Sequence, residues 1–153
     1  MAAVRRVLLM RHAESIPNST SDHGRPLTER GKKQARDVAK QLDQLDAHPD
    51  RIVLSTSKRT RDTLEAMIGF VDSIAQSDEQ LYLPTCQDIL RHMDSCTPGE
   101  TLMILTHNPG CELSIYQTTE DYVAMKEGSC AILHCEADGK WKLDTVVMPH
   151  RSE

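Results

Sequence analysis

Short apolar runs alternate with longer amphipathic stretches along this chain. The first run, residues 4–10, is nearly continuous in Val7, Leu8, Leu9 and Met10, the pattern of a strand buried on both faces. A polar stretch, 13–26, follows with Pro, Asn, Ser and Gly and reads as a loop. Thr28 is placed to cap a helix in which Ala35, Val38, Ala39, Leu42 and Leu45 recur at three- and four-residue intervals, ended by His48-Pro49-Asp50. Ile52-Val53-Leu54 predicts a second buried strand. Ser57 or Thr60 then opens a helix with Leu64, Met67, Ile68 and Val71 on one face.

A weaker segment surrounds Leu81-Tyr82-Leu83-Pro84, and the next helix spans about 86–95, burying Ile89, Leu90 and Met93. Pro98-Gly99-Glu100 turns the chain into a strand over 101–105. Asn108 and Pro109 read as an N-cap and first helical residue. Two final strands, 129–135 and 141–147, are joined by a turn at Asp138-Gly139. Strands alternating with helices predict an α/β protein with a sheet parallel at its centre and antiparallel at an edge. No internal repeat or linker divides the chain, so residues 1–153 are expected to form one domain.

Composition narrows the picture. With one Trp, one Phe and three Tyr, the core must rest on Leu, Ile, Val, Met and Ala. A net charge of −5 argues against nucleic acid or an anionic membrane as partner, so any positive potential must be local. Apolar runs fall short of the roughly 20 residues that span a bilayer, and the cytoplasm is the expected compartment. The cysteines Cys86, Cys96, Cys111, Cys130 and Cys135 are odd in number and lack a Cys-x-x-Cys pair. They read as small buried hydrophobes, with a metal or redox role as the alternative.

The chemistry falls at three strand ends, where the loops of a parallel sheet gather into active sites. The first end carries Arg11 and His12, the second Ser55 through Arg59, the third Thr106, His107 and Asn108. Each piece alone has an innocent reading as a solvated loop, a cap or an exposed helix face. Together they make an anion site: guanidinium forks hold pairs of oxygens, and an imidazole supplies a nucleophile or proton carrier.

These residues also resemble a family. Leu8-Leu9-Met10-Arg11-His12-Ala13-Glu14 resembles the Arg-His-Gly/Ala signature of the histidine phosphatase superfamily, which includes the phosphoglycerate mutases. Arg25-Pro26-Leu27-Thr28-Glu29-Arg30-Gly31 is similar to the start of that family's first helix. Ser55-x-x-x-Arg59-x-x-x-Thr63 and Thr106-His107-Asn108-Pro109-Gly110 are similar to its second-strand and second-histidine motifs. The short chain has no room for the large members' insertions and looks most like the short bacterial phosphohistidine phosphatases.

The resemblance implies a three-layer α/β/α, phosphoglycerate mutase-like fold and a phosphatase that needs neither metal nor cofactor. It implies His12 as nucleophile, forming a phosphohistidine intermediate, with Arg11, Arg59 and His107 around the phosphoryl oxygens and Arg25 as a fourth contact. Arg25 could instead pin its loop to an acidic neighbour. Ser55 is expected to orient Arg59 or cap its helix, and Asn108 to cap. Larger members use a carboxylic acid to protonate the leaving group. Here Glu79, Asp88 and Glu14 are the candidates, and each also reads as a surface carboxylate. A missing acid would favour a good leaving group, hence a phosphohistidine protein reached through a shallow, open site. The alternatives are a small phosphate ester, a mutase-like reaction, and a phosphoprotein-binding module without turnover.

Overall fold

The computed structural model describes residues 3–67, 69 and 74–150. Its elements follow in the order β1 (Arg5–Arg11), α1 (Glu29–Gln44), β2 (Arg51–Leu54), α2 (Lys58–Ala66), β3 (Ile74–Ser77), a 3-10 turn (Glu79–Leu81), α3 (Cys86–Asp94), β4 (Thr101–Thr106), α4 (Gly110–Thr119), β5 (Cys130–Cys135) and β6 (Trp141–Val147). The sheet order is β3-β2-β4-β1-β5-β6. The pairs β3–β2, β2–β4 and β4–β1 are parallel, whereas β1–β5 and β5–β6 are antiparallel. The antiparallel pairs therefore occupy one side of the sheet, as expected.

The continuous apolar runs divide between two cores because successive strand side chains point to opposite faces. Leu8 and Met10 join Met103, Leu105, Ile52 and Leu54 beneath Ala35, Val38 and Leu42 of α1. Val7 and Leu9 join Leu102, Ile104 and Val53 beneath Ile89 and Met93 of α3 and Cys111 and Ile115 of α4. Each buried aliphatic side chain contributes about 1.5–3 kcal/mol relative to exposure, so the layers are held chiefly by these two cores.

Caps explain where the helices begin. Thr28 Oγ1 accepts the Gly31 N–H at 2.9 Å, and Ser57 Oγ accepts the Thr60 N–H at 3.4 Å. Thr85 and Asp88 form a reciprocal capping box on α3. Two boundaries and one strand differ from the expectation. Helix α1 ends at Gln44, leaving Leu45 exposed rather than packed. Helix α4 begins at Gly110, one residue later than expected, while Asn108 still serves its first turn, Oδ1 accepting the Glu112 N–H at 3.2 Å. Strand β3 was not anticipated: it is an edge strand exposed along its whole length, and a strand with no buried face shows no alternation. Met67 is buried and Leu64 packs beside it, while Ile68 and Val71 lie outside the described residues.

Candidate active site

Parallel pairing of β1 with β4 brings the two histidines together. Arg11 is in register with Thr106, and the His12 N–H donates to the Thr106 carbonyl at 3.1 Å. The next residue, His107, lies with its ring centroid 5.2 Å from that of His12. Pairing of β2 with β4 adds the third strand end, where the Ser55 N–H donates to the Leu105 carbonyl at 3.1 Å.

His12 is 6% exposed, and its Nδ1 stands 2.7 Å from the Ala13 carbonyl. A carbonyl accepts only, so Nδ1 carries the proton and Nε2 is the nitrogen with a free lone pair. Burial pushes the His12 pKa down to about 4, with the positive charges of Arg59 and Arg11 adding to the effect against the Ala13 hydrogen bond. The ring is therefore neutral at physiological pH, the state a nitrogen nucleophile requires.

His107 is 1% exposed, and its pKa is pushed down to about 3 by burial, then by His12 and Arg59. The ring is therefore neutral in the free protein at physiological pH and can offer a single N–H to an oxyanion. The Ser55 hydroxyl oxygen lies 2.9 Å from Nε2 and already accepts the Ser57 N–H at 3.2 Å. With that oxygen donating to Nε2, the proton rests on Nδ1, which is buried without a protein partner. In that tautomer the Nδ1–H is the one His107 donor that the protein leaves unpartnered. Ser55 thus meets His107 as well as the start of the Arg59 helix, where its oxygen accepts the N–H of the capping residue Ser57.

The arginines are positioned by neighbouring backbone and carboxylate groups. Arg11 Nη1 donates to the Met125 carbonyl at 2.9 Å, and its Nε is buried without a protein partner. Asn108 and Glu112 hold Met125: Asn108 Nδ2 donates to the Met125 carbonyl at 3.0 Å and to Glu112 Oε2 at 2.9 Å, and the Met125 N–H donates to Glu112 at 2.7 Å. Arg59 is 3% exposed and donates through Nη1 to the Asp22 carbonyl at 2.8 Å and through Nη2 to Asp22 Oδ2 at 3.2 Å. Thr63 ties this helix to the chain beside His12, accepting the Ala13 N–H at 3.0 Å and donating to the Arg59 carbonyl at 2.7 Å.

Arg25 is engaged at all three nitrogens, by the Ile16 carbonyl at 2.8 Å, Asp22 Oδ1 at 3.0 Å and Ser15 Oγ at 2.6 Å. It clamps the loop between β1 and α1. The phosphate contact expected of it would have to use its remaining N–H groups, and its charge does act on His12.

The candidate acids are occupied elsewhere or exposed. Glu14 accepts from Thr28 Oγ1 at 2.9 Å and pairs with Arg30 at 3.5 Å; Asp88 serves the α3 capping box; Glu79 is exposed in the 3-10 turn. The carboxylate that does reach the cluster is Asp22, which sequence reasoning passed over within a polar loop. Tyr82, equally unforeseen, donates its O–H to Asp22 Oδ2. Its ring lies edge-on to His107 and His23, at centroid distances of 5.5 and 4.8 Å. Among the described residues no cluster of His, Cys, Asp and Glu could hold a metal ion, and the five cysteines are free thiols. Burial raises the Cys96 and Cys111 pKa values to about 11 and about 12, leaving protonated, poorly nucleophilic thiols.

A neutral imidazole with a free lone pair, a second buried imidazole, and arginines at two of the three strand ends are the parts expected of phosphoryl transfer through histidine. Residues 7–82 match the model of the histidine phosphatase superfamily (branch 1). The chain belongs to the histidine phosphatase superfamily and is a phosphatase by type. An uncharacterized chloroplastic protein of Arabidopsis thaliana is 29% identical, the match covering 97% of this chain and 79% of that one. The mitochondrial serine/threonine-protein phosphatase Pgam5 of Drosophila melanogaster is 37% identical over 44% of this chain and 24% of its own. The fold matches the protein histidine phosphatase SixA complexed with tungstate, with TM-score 0.84, 19% identity and coverage of 94% and 97% of the two chains. Phosphoglycerate mutase from Bacillus anthracis superposes with TM-score 0.77 and 12% identity over 96% and 94%. Among the described residues no helix is long and apolar enough to cross a membrane.

Proposed function

We propose that this histidine phosphatase removes the phosphoryl group from phosphohistidine on a protein, and that it belongs with the short phosphohistidine phosphatases of its superfamily. His12 Nε2 attacks phosphorus while the bond to the substrate nitrogen breaks, forming phospho-His12. Water then attacks phosphorus, the bond to Nε2 breaks, and inorganic phosphate leaves. Arg11, Arg59 and the Nδ1–H of His107 bind the phosphoryl oxygens, with no reorganisation needed as charge develops. The cationic side chains do this without a metal.

The observation that carries the choice of substrate is the state of the carboxylates. Asp22 is the carboxylate at the cluster, and its pKa is pushed down to about 2 by the Tyr82 hydrogen bond and by Arg59 and Arg25. It is ionised and has no proton to give at neutral pH. An alkoxide leaves poorly without such a proton, whereas an imidazole, protonated on its second nitrogen by water, leaves as a neutral ring. The exposed segment 16–23 beside the cluster is consistent with access for a macromolecular phosphoryl donor. The fold likeness to a protein histidine phosphatase supports the same reading.

The test is incubation with labelled phosphohistidine protein and with alkyl and aryl phosphate esters, comparing wild type and His12→Ala. The expected result is preferential turnover of phosphohistidine and acid-labile label on wild type alone. Equal rates on alkyl phosphates would instead indicate a general phosphomonoesterase. Phosphoryl exchange between phosphoglycerates would indicate a mutase-like reaction. Tight binding without release by wild type would indicate a binding module.

A further inference from the structure

The loop between β1 and α1 contributes more than a cover to the site. Asp22 takes hold of Arg59 at two points, with its main-chain carbonyl on Nη1 at 2.8 Å and its Oδ2 on Nη2 at 3.2 Å. Tyr82 O–H donates to the same Oδ2, and Arg25 Nη1 donates to Oδ1 at 3.0 Å. Arg25 is itself fixed to Ile16 and Ser15 of the loop's opening turn. The Arg59 guanidinium also lies over the Tyr82 ring, 5.8 Å from its centroid. Both carboxylate oxygens therefore have donors, and the arginine is gripped by backbone, carboxylate and ring together.

We propose that Asp22 is a positioning residue for phosphoryl transfer: with Tyr82 and Arg25 it fixes the guanidinium of Arg59 so that its remaining N–H groups meet the phosphoryl oxygens. Arginine has five N–H donors, so those directed at Asp22 leave others for the substrate. A long side chain with four torsions would otherwise lose entropy on each binding event, and the preformed cluster removes that cost. The alternative geometry, a carboxylate that merely occupies the phosphate position and must be expelled, fits less well. A displaceable carboxylate would not be anchored by three side chains, each of which would lose its partner on displacement. The proposal deepens the phosphatase reading, and its binding arm does not depend on turnover.

The experiment measures tungstate affinity by calorimetry, and kcat and KM on phosphohistidine protein, for wild type, Asp22→Asn, Asp22→Ala, Tyr82→Phe and the double variant Asp22→Ala/Tyr82→Phe. Asp22→Ala is expected to weaken tungstate about 10-fold and to lower kcat/KM by about 10–100-fold, the range of a small misplacement of a catalytic group. Asp22→Asn, which keeps an acceptor but loses the charge, should fall between. Tyr82→Phe should cost several-fold alone and nothing further in the Asp22→Ala background. Tighter or unchanged tungstate binding with undiminished kcat/KM in the Asp22 variants overturns the proposal, as do additive losses in the double variant. Thermal midpoints control for folding, and if Asp22→Ala does not fold the isosteric Asp22→Asn decides. A wild type that turns over no phosphoryl donor, yet binds tungstate more tightly than Asp22→Ala, refutes the phosphatase reading and leaves the positioning role standing. A wild type that binds no tungstate overturns both.

Discussion

The Ser55 hydroxyl meets His107 Nε2 at 2.9 Å while accepting the Ser57 N–H, and its own O–H, directed at Nε2, would favour the tautomer with the proton on Nδ1. With Nε2 as acceptor, the proton sits on Nδ1, which is buried without a protein partner. Ser55→Ala removes the directing group, and the neutral ring can then take either tautomer. Because the His107 N–H acts on developing charge, kcat should fall about 10-fold or more with KM changing much less. Steady-state kinetics checks the split, and nitrogen NMR of the imidazole checks the tautomer. A single unchanged tautomer with undiminished kcat would remove Ser55 from the mechanism.

The two histidines also set a pH signature. Their folded pKa values, about 4 for His12 and about 3 for His107, lie below the ordinary 6.5. Below pH 6.5 the unfolded chain binds protons that the folded protein refuses, so stability falls with pH until the folded values are reached. Within that window each ring contributes a slope of about 1.4 kcal/mol per pH unit. Denaturant unfolding should therefore show a declining free energy from pH 6.5 toward pH 4. Activity should behave differently, since the free nucleophile stays neutral across the same range. The acidic limb of kcat/KM, corrected for substrate ionisation, should lie near pH 4 wherever the protein remains folded. An acidic limb near 6.5 would mean a normally titrating nucleophile.

Much of this was readable where chemistry and burial coincide. Val7-Leu8-Leu9-Met10 and Leu102-Met103-Ile104-Leu105 announce central strands because both faces are covered, and Arg11-His12 and His107 follow at their ends. Strand β3 was not readable, since Ile74-Ala75-Gln76-Ser77 buries neither face and gains its place from pairing with β2 alone. Asp22 and Tyr82 were missed for a related reason. Each sits in irregular chain with no period, and they meet across 60 residues only once the fold closes. The three-residue spacing of Asp22 and Arg25 was the one local hint of a clamp. Ser55 was expected to orient Arg59 or cap its helix; it does accept the N–H of Ser57, the residue that caps α2, and parallel pairing of β2 with β4 also delivers it to His107, a contact that sequence adjacency does not suggest.

Gly31 illustrates how a helix is set against the nucleophile's own backbone. A Cβ built there would lie 2.1 Å from the Glu14 carbonyl oxygen, two residues beyond His12. Neither that strand end nor the capped first turn of α1 can yield cheaply, so Gly31→Ala should force the helix outward. Overpacking of this kind costs about 1–3 kcal/mol or more, which for a domain of this size is a thermal midpoint lower by roughly 3–10 °C. The displaced Glu14 backbone adjoins Ala13, whose carbonyl orients His12, so activity should fall as well. Calorimetry and kinetics on the same preparation check both; an unchanged midpoint would mean that the contact relaxes freely.

Glu112 has the clearest indirect claim on the substrate. Its Oε2 accepts from the Met125 N–H at 2.7 Å and from Asn108 Nδ2 at 2.9 Å, and Asn108 Nδ2 also reaches the Met125 carbonyl at 3.0 Å. That carbonyl is the acceptor for Arg11 Nη1 at 2.9 Å. Met125 stands in an irregular segment; its side chain is anchored in the core beside α4, and these bonds fix the orientation of its peptide groups. Glu112→Ala should free the segment and let Arg11 turn away from the phosphoryl position, lowering kcat/KM about 10-fold. If Arg11 holds oxygens in both bound substrate and transition state, as proposed, much of that loss should appear in KM. Glu112→Gln keeps an acceptor on the same stem and should retain more activity than Glu112→Ala. A lowered thermal midpoint with unaltered kcat/KM and unaltered tungstate affinity would confine Glu112 to holding the fold. Loss of oxyanion affinity in step with KM would show that the chain of bonds from α4 through Met125 ends on the substrate.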